Sequence, residues 1–221
     1  MYNKILNITN GEYFNEYFIS KFGGRAVPFC EAMMDGDTVE NIYSKQFIEL
    51  RAKSLNVSEN EYKSKIYVYD TLNNNSCSSI CLWFGKDTFC QVNLLTLLAY
   101  LEQIEYRGEI KLNYIDDETF EVLDSDIEVK LCIYNKMYED VLISKNVPYD
   151  TGVLVARAID LFFDYLSKDG ELAKLVKANA YKEKTELIRL LLESSKDYGL
   201  SDLQAEKLIN LYLMSFRKGV K

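Results

Sequence analysis

The stretch SICLWFGKDTFCQVNLLTLLAYLEQ, residues 79–103, decides the fold class of this chain. Its first six residues are apolar on both alternating faces, which is typical of a strand inside a parallel sheet with helices on both sides. A Gly-Lys-Asp turn then leads into a long helix with a wide apolar surface. The stretch therefore predicts a strand-to-helix unit of an α/β protein.

Segments on either side repeat this pattern. Further strands are predicted at Lys4–Thr9, Ala26–Cys30, Ile110–Ile115 and Val129–Tyr134. Helices are predicted over Tyr13–Phe22, from Thr38 onward, from a Ser58/Glu61 capping box to about Asn75, and over Met137–Ile143. Alternating strands and helices imply right-handed crossovers. We therefore expect a doubly wound, mostly parallel, Rossmann-like sheet of four to five strands.

The C-terminal third is helical in character. Three helices are predicted at about 150–167, 182–195 and 201–216, the last with Ser201 as its N-cap and its end before Gly219. The chain contains no Pro- or Gly-rich linker. We expect an α/β domain over residues 1–145 and a helical subdomain over residues 146–221 docked on it.

Composition excludes several classes of function. The chain has no histidine, which removes Ser-His-Asp and Cys-His catalysis and histidine metal sites. Its net charge of -8 opposes binding to a phosphate backbone, so nucleic acid is a disfavoured partner. No cofactor is indicated. Any chemistry must use carboxylates, Lys, Tyr, Cys or backbone groups.

Two features indicate a cytoplasmic protein. The first residues lack the pattern of a signal peptide, and charges interrupt every apolar stretch before membrane-spanning length, so no membrane partner is expected. The five cysteines form no Cys-x-x-Cys pair, and we expect reduced, mostly buried thiols.

Polar residues follow three predicted strands at the edge where ligands bind in open parallel sheets. Asn10-Gly11 follows the first strand, Glu31 the second, and Asp87 with Gln91 the third. Glu31 and Asp87 could share a proton or hold a divalent cation. Alternatively, Asn10-Gly11 is a simple turn and the carboxylates are helix caps.

Two other segments have a structural and a functional interpretation. Seven carboxylates lie between Asp116 and Glu128 without the ligand order of an EF-hand, so a solvated loop is favoured and no metal site is assigned. Residues 185–213 could imitate a helix-turn-helix, but the second helix begins with acidic residues, which favours an ordinary helical hairpin.

Four motifs, ILNITNGEYF, FCEAMMDGD, SKQFIELRAKSL and LWFGKDTFCQVNLLTLLAYLEQ, resemble the bacterial family called domain of unknown function 1835. The resemblance covers about residues 4–115, and YGLSDLQAEKLI loosely resembles the helical extension of that family. It implies family positions at Asn10, Gly11, Glu31, Gly36, Arg51, Trp83, Asp87 and Gln91. The chain departs from the family at Gly85, Lys86 and Cys90, where Glu, His and Asp are commoner. The family implies no reaction.

Three functions follow as hypotheses. The first is a small-ligand-binding or regulatory protein, with a phosphorylated or nucleotide-like ligand in a polar cleft where Arg51 supplies the positive group. Its predicted ligand-binding residues are Asn10, Gly11, Glu31, Arg51, Asp87 and Gln91. The second is a carboxylate-dependent hydrolase or transferase, metal-assisted or not, with Glu31 and Asp87 as catalytic residues. The third is a protein–protein interaction module. A homodimer is left open.

Overall fold

The computed structural model describes residues 5–74 and 77–218. These residues form two compact units. The first contains the residues up to Lys86 together with Cys90–Val155, and the second contains Asp87–Phe89 together with the residues from Ala156 onward. The domain boundary predicted after residue 145 remains a prediction.

The first unit alternates strands and helices along most of its length. The elements of this part of the chain, ending with a helix that continues into the second unit, are β1 (Ile5–Asn10), α1 (Glu12–Phe22), β2 (Ala26–Phe29), α2 (Lys45–Leu55), α3 (Glu59–Lys63), α4 (Tyr67–Asn74), β3 (Ser79–Phe84), α5 (Thr88–Gln103), β4 (Glu109–Ile115), β5 (Val122–Glu128), α6 (Tyr134–Tyr138), a π-helical turn (Glu139–Ile143) and α7 (Gly152–Leu166).

Within the described residues, the five strands form one sheet in the order β2-β1-β3-β4-β5. The first four strands run parallel, with Ile8 opposite Leu82 and Leu82 opposite Leu112 in the register, and β5 runs antiparallel to β4. This mixed α/β architecture confirms the predicted Rossmann-like fold class.

The two faces of the sheet are not equally covered. On one face Ile8, Ile80, Leu82 and Phe84 are completely buried. On the other face Phe14 and Phe18 of α1 pack with Ile115 and the half-buried Trp83, while Cys81 is only partly buried. Helices flank the sheet as predicted, but β3 is completely buried on one face and only partly buried at Ser79, Cys81 and Trp83 on the other.

Two predicted helices have different bounds. The helix expected from Thr38 begins at Lys45, because the Ser44 hydroxyl accepts a hydrogen bond from the Phe47 amide and starts the helix there. The helix expected from Ser58 is split into α3 and α4, because the Ser64 hydroxyl donates to the Glu61 carbonyl and ends the first helix. The predicted end at Asn75 lies outside the described residues.

The fifth strand lies elsewhere than predicted. It is β5, within the acidic stretch that was expected to be a loop, while most of the expected strand at 129–134 is irregular. Nearly every residue of β5 is exposed, so its carboxylates stay hydrated while its backbone pairs with β4. An edge strand accepts charged side chains for this reason.

The second unit is helical and includes α8 (Glu171–Ala178), α9 (Lys184–Ser194), a 3-10 turn (Lys196–Tyr198) and α10 (Asp202–Lys218). The sequence missed α8, whose start is capped by Asp164: both carboxylate oxygens accept from the Glu171 amide at 3.0 Å. Ser201 caps α10 as predicted, since its hydroxyl accepts from the Gln204 amide at 3.3 Å. The predicted stop at Gly219 falls outside the described residues.

None of the helices in the part of the chain that the structure describes combines the length and apolar character needed to cross a bilayer. All five cysteines are free thiols, as predicted. Only Cys90 is buried, however, and Cys132 is exposed, so the expectation of mostly buried thiols is wrong.

Candidate functional site

The strand order reverses at β1. From β1 the chain crosses to β2 on one side, whereas β3 lies on the other side of β1 and is followed by β4. Open α/β sheets bind ligands beside the carboxyl ends of the strands where the order reverses in this way. The candidate site therefore lies at the exits of β1 and β3, at Asn10 and Gly85.

Gly11 leaves the backbone open at the start of α1. Its φ of 85° lies in the region that favours glycine, and its amide donates to the Phe29 carbonyl at 3.1 Å. No side chain caps α1, and a Cβ placed on Gly11 would meet no atom within 4 Å. A ligand group can approach the first amides of α1 without meeting a side chain of residue 11.

Asn10 is half-buried and fixed by two residues of α5. Its Nδ2 donates to the Cys90 Sγ at 2.8 Å, and its Oδ1 accepts from the Asn93 Nδ2 at 3.2 Å. These contacts orient the Asn10 amide before any ligand binds, which reduces the entropy lost on binding.

Asn93 joins the exits of β1 and β2. It is completely buried; its Nδ2 also donates to the Glu31 carbonyl at 2.6 Å, and its Oδ1 accepts from the Met33 amide at 3.1 Å. The sequence analysis missed this residue. The sequence carries one signal for it: Asn93 is an amide side chain within the apolar run of α5, and a buried amide needs polar partners.

Gln91 holds the exit of β3. Its Nε2 donates to the Gly85 carbonyl, and its Oε1 accepts from the Tyr114 hydroxyl at 3.5 Å. Gln91 is 3% exposed. The structure thus gives this predicted ligand-binding residue a positioning contact, and together Cys90, Gln91 and Asn93 tie α5 to three strand exits.

Glu31 lies inside the protein. Its Oε2 is 3.5 Å from the Arg51 Nε, and its Oε1 accepts from the Tyr62 hydroxyl. Burial raises the pKa of Glu31 and outweighs the opposing effects of Arg51 and Tyr62. A carboxyl group enclosed in this way is held in place by protein partners.

Arg51 is also completely buried. Its Nη1 donates to the carbonyls of Asp35 at 2.6 Å and Asp37 at 3.2 Å, and its Nη2 donates to the carbonyl of Ala32 at 2.9 Å. The predicted position of Arg51 on the rim of a cleft is therefore wrong. Because the carbonyls of a non-helical segment need donors, the guanidinium is used to hold the loop after β2.

Asp87 belongs to the second unit. A Cβ placed on Gly199 would lie 2.0 Å from the Asp87 Oδ1, so the carboxylate rests directly on that glycine. The next residue, Thr88, donates its hydroxyl to the Asp197 carbonyl at 3.0 Å. Both contacts fix the 3-10 turn before α10. The pairing of Asp87 with Glu31 remains a prediction.

Two charged groups flank Gly11. Glu12, in the first turn of α1, accepts from the Lys65 Nζ at 2.6 and 2.7 Å and from the Tyr67 hydroxyl at 2.9 Å. The hydrogen bond from Lys65 lowers the pKa of Glu12 most, and the hydrogen bond from Tyr67 lowers it further. An exposed lysine is therefore held beside the open start of α1.

No protein-family model matches this chain, and no curated protein or solved structure is significantly similar to it. The resemblance to the family called domain of unknown function 1835 therefore stays a prediction, and only the geometry of the site bears on function.

Proposed function

We propose that this protein binds a small polar ligand at the exits of β1 and β3 and serves a binding or regulatory role. The observation that supports this best is the open backbone at Gly11, beside an Asn10 amide already oriented by Cys90 and Asn93. Pre-oriented polar groups next to open space at the reversal of strand order are typical of ligand sites in this fold class.

The ligand that fits this edge carries an anionic group, such as a phosphorylated or nucleotide-like metabolite. The uncapped amides of α1 and the helix dipole attract negative charge. Lys65, which is ion-paired with Glu12 beside these amides, is the candidate for the positive group that the sequence assigned to Arg51, because Arg51 is buried. A cytoplasmic location is part of this proposal, and so is membership of the family that the sequence resembles.

Two alternatives remain, with unequal support. A carboxylate-dependent enzyme would need Glu31 to reach a substrate, but this side chain is buried against Arg51 and Tyr62. A protein-interaction module is favoured by Tyr13 and Phe22, which leave 77% and 52% of their surface exposed on α1.

A thermal-shift screen against nucleotides, phosphorylated metabolites and divalent cations tests the proposal, because a ligand of the native state raises the melting temperature. Gly11→Ala and Gly24→Ala form a matched pair. Both glycines have a φ of 85°, and neither would place a Cβ within 4 Å of another atom. We expect a phosphorylated ligand whose shift is lost in Gly11→Ala and kept in Gly24→Ala. Equal shifts in both variants would place the ligand elsewhere, and no shift with any compound would favour the interaction module.

A further inference from the structure

The turn between β4 and β5, residues 116–121, contacts both α1 and the exit of β3, the two elements beside the proposed ligand site, and we call this turn the strap. One end of the strap rests on the exit of β3. A Cβ placed on Gly85 would lie 2.1 Å from the Asp117 Oδ2, and the Asp117 Oδ1 is 3.6 Å from the Cys90 Sγ. Cys90 is the residue that orients Asn10.

The other end of the strap rests on α1. The Phe120 ring lies among three aromatic rings of that helix, with centroid distances of 5.4 Å to Tyr13, 5.0 Å to Phe14 and 4.8 Å to Tyr17. These rings follow Gly11 within two turns of helix. One anchor therefore contacts the residue that orients Asn10, and the other contacts the helix that begins directly after Gly11.

The strap has its own internal structure. The Asp116 Oδ1 accepts from the amides of Glu118 at 3.0 Å and Thr119 at 2.7 Å. The Phe120 amide donates to the Asp116 carbonyl at 2.8 Å. Because these bonds lie within the strap, it can keep its shape when its outer contacts break.

The Asp116 amide donates to the Glu121 carbonyl at 2.9 Å and closes the base of the strap, and two observations indicate that its tip is held in place by the outer contacts. Phe120 has a φ of 60°, which is unfavourable for a bulky side chain, so its ring contacts must compensate. The pairing of β4 with β5 also shifts register on either side of Tyr114, directly before the strap. Such irregularities bend a ladder locally and provide a hinge.

We propose that the strap is a movable cover, which lifts from α1 and Gly85 so that a ligand at the open Gly11 can reach the half-buried Asn10. This inference rests on the proposed function for its purpose, but the opening itself is a property of the protein without ligand. Cys90, which is 5% exposed, reports on it because a thiol under a closed strap reacts only when the strap opens.

The experiment measures alkylation of each cysteine by iodoacetamide in the native protein, with the modified peptides quantified by mass spectrometry. Phe120→Gly removes the ring and keeps the backbone conformation, whereas Phe22→Ala removes a ring of α1 that contacts Phe18 and Trp83. Cys30 is the internal control, since it follows β2 at the edge of the sheet opposite the strap and burial raises the pKa of its thiol to about 12. We expect Phe120→Gly to speed Cys90 labelling about tenfold with Cys30 unchanged, and Phe22→Ala to leave both rates unchanged.

An unchanged rate of Cys90 labelling in Phe120→Gly, or a parallel rise in the labelling of Cys90 and Cys30, would contradict the proposal that the strap moves. Should Phe120→Gly not fold, Gly85→Ala tests the other anchor, because its Cβ must displace Asp117, and the same selective rise at Cys90 is expected. Adenosine diphosphate added to the wild-type protein separates the two proposals. If the nucleotide does not slow the labelling of Cys90 while Phe120→Gly still speeds it, the proposed ligand is contradicted and the movable strap is supported.

Discussion

Arg51 and Glu31 form an ion pair enclosed by the protein: their side chains are 0% and 2% exposed, and the Arg51 Nε lies 3.5 Å from the Glu31 Oε2. Neither of these two atoms has a hydrogen-bond partner, so the contact between them is purely ionic. The remaining guanidinium nitrogens donate to carbonyls of the loop after β2. The pair thus fixes this loop through a charge that has no access to water.

Removal of Arg51 should therefore be severe. We expect Arg51→Met to lower the free energy of unfolding by about 3–5 kcal/mol, because it leaves a buried carboxyl group and three carbonyls without their donor. The control is Lys53→Met, an exposed position on the same helix, for which we expect a change below about 0.5 kcal/mol. Urea unfolding at pH 7 measures both. Equal losses in the two variants would show that the pair contributes little.

The pH dependence of stability should reveal the buried Glu31. Its pKa is raised in the folded protein by burial, so in the native state it holds its proton to a higher pH than in the unfolded chain. Stability from this group is fully present below the unfolded value of about 4.3 and is lost as pH rises through the folded value. The difference in unfolding free energy between wild type and Glu31→Gln should therefore fall from pH 4 upward.

Urea unfolding of both proteins in steps from about pH 4 to pH 8 measures this difference, in which the other carboxylates largely cancel. A difference that grows with pH would mean that Arg51 and Tyr62 outweigh burial and lower the pKa of Glu31.

Gly11 and Gly24 separate backbone strain from ligand binding. Because both have a φ of 85°, alanine at either position should lower the free energy of unfolding by a similar amount, about 1 kcal/mol. Chemical denaturation measures this loss. A loss in Gly11→Ala several times that in Gly24→Ala would show that residue 11 has a structural role beyond its conformation, and binding defects in that variant would need another control.

Asn93 should contribute to stability through its position between two strand exits. Asn93→Ala leaves the Asn10 side chain, the Glu31 carbonyl and the Met33 amide without their hydrogen bonds to Asn93. We therefore expect the free energy of unfolding to fall by about 2–3 kcal/mol. Thr96→Val is the control, because the Thr96 hydroxyl donates to the Val92 carbonyl of its own helix. Hydrogen exchange at the Met33 amide should accelerate in Asn93→Ala alone. An unchanged exchange rate would contradict the assigned contact.

Asp87 and Gly199 should be energetically coupled within the second unit. Gly199→Ala forces a Cβ to within 2.0 Å of the Asp87 carboxylate at a φ of 65°, so it should destabilise the protein by about 2 kcal/mol or more. In an Asp87→Ala background the closest contact lengthens to the 3.1 Å that separates the new Cβ from the Cβ of residue 87, and we expect a smaller loss. A double-mutant cycle from unfolding free energies measures the coupling, and strict additivity would refute it.

Much of the first unit could be predicted from local pattern. Strands β1, β2, β3 and β4 and helices α1 and α5 follow from apolar periodicity and from stop signals such as Gly23-Gly24. The strand β5 could not be predicted in this way. Its exposed carboxylates resemble a loop in one dimension, and only pairing with β4 makes the segment a strand.

The candidate site was predicted in outline. Asn10 and Gly11 were identified because they follow an apolar strand, and the structure places them beside an oriented amide and an open helix start. Asn93 and Phe120 were missed. Their roles depend on partners far away in the sequence: Asn93 and Glu31 are 62 positions apart, and local periodicity carries no information about such pairs.

By itself the sequence determined the fold class, because the periodicity of strands and helices is a local property. It also excluded histidine chemistry, because the chain contains no histidine. Only the tertiary structure decided which polar groups face inward. A charged side chain such as Arg51 reads as a surface residue until the fold surrounds it with carbonyl oxygens and a carboxylate. Removal of such a charge from water is tolerated only when these partners converge from distant parts of the chain.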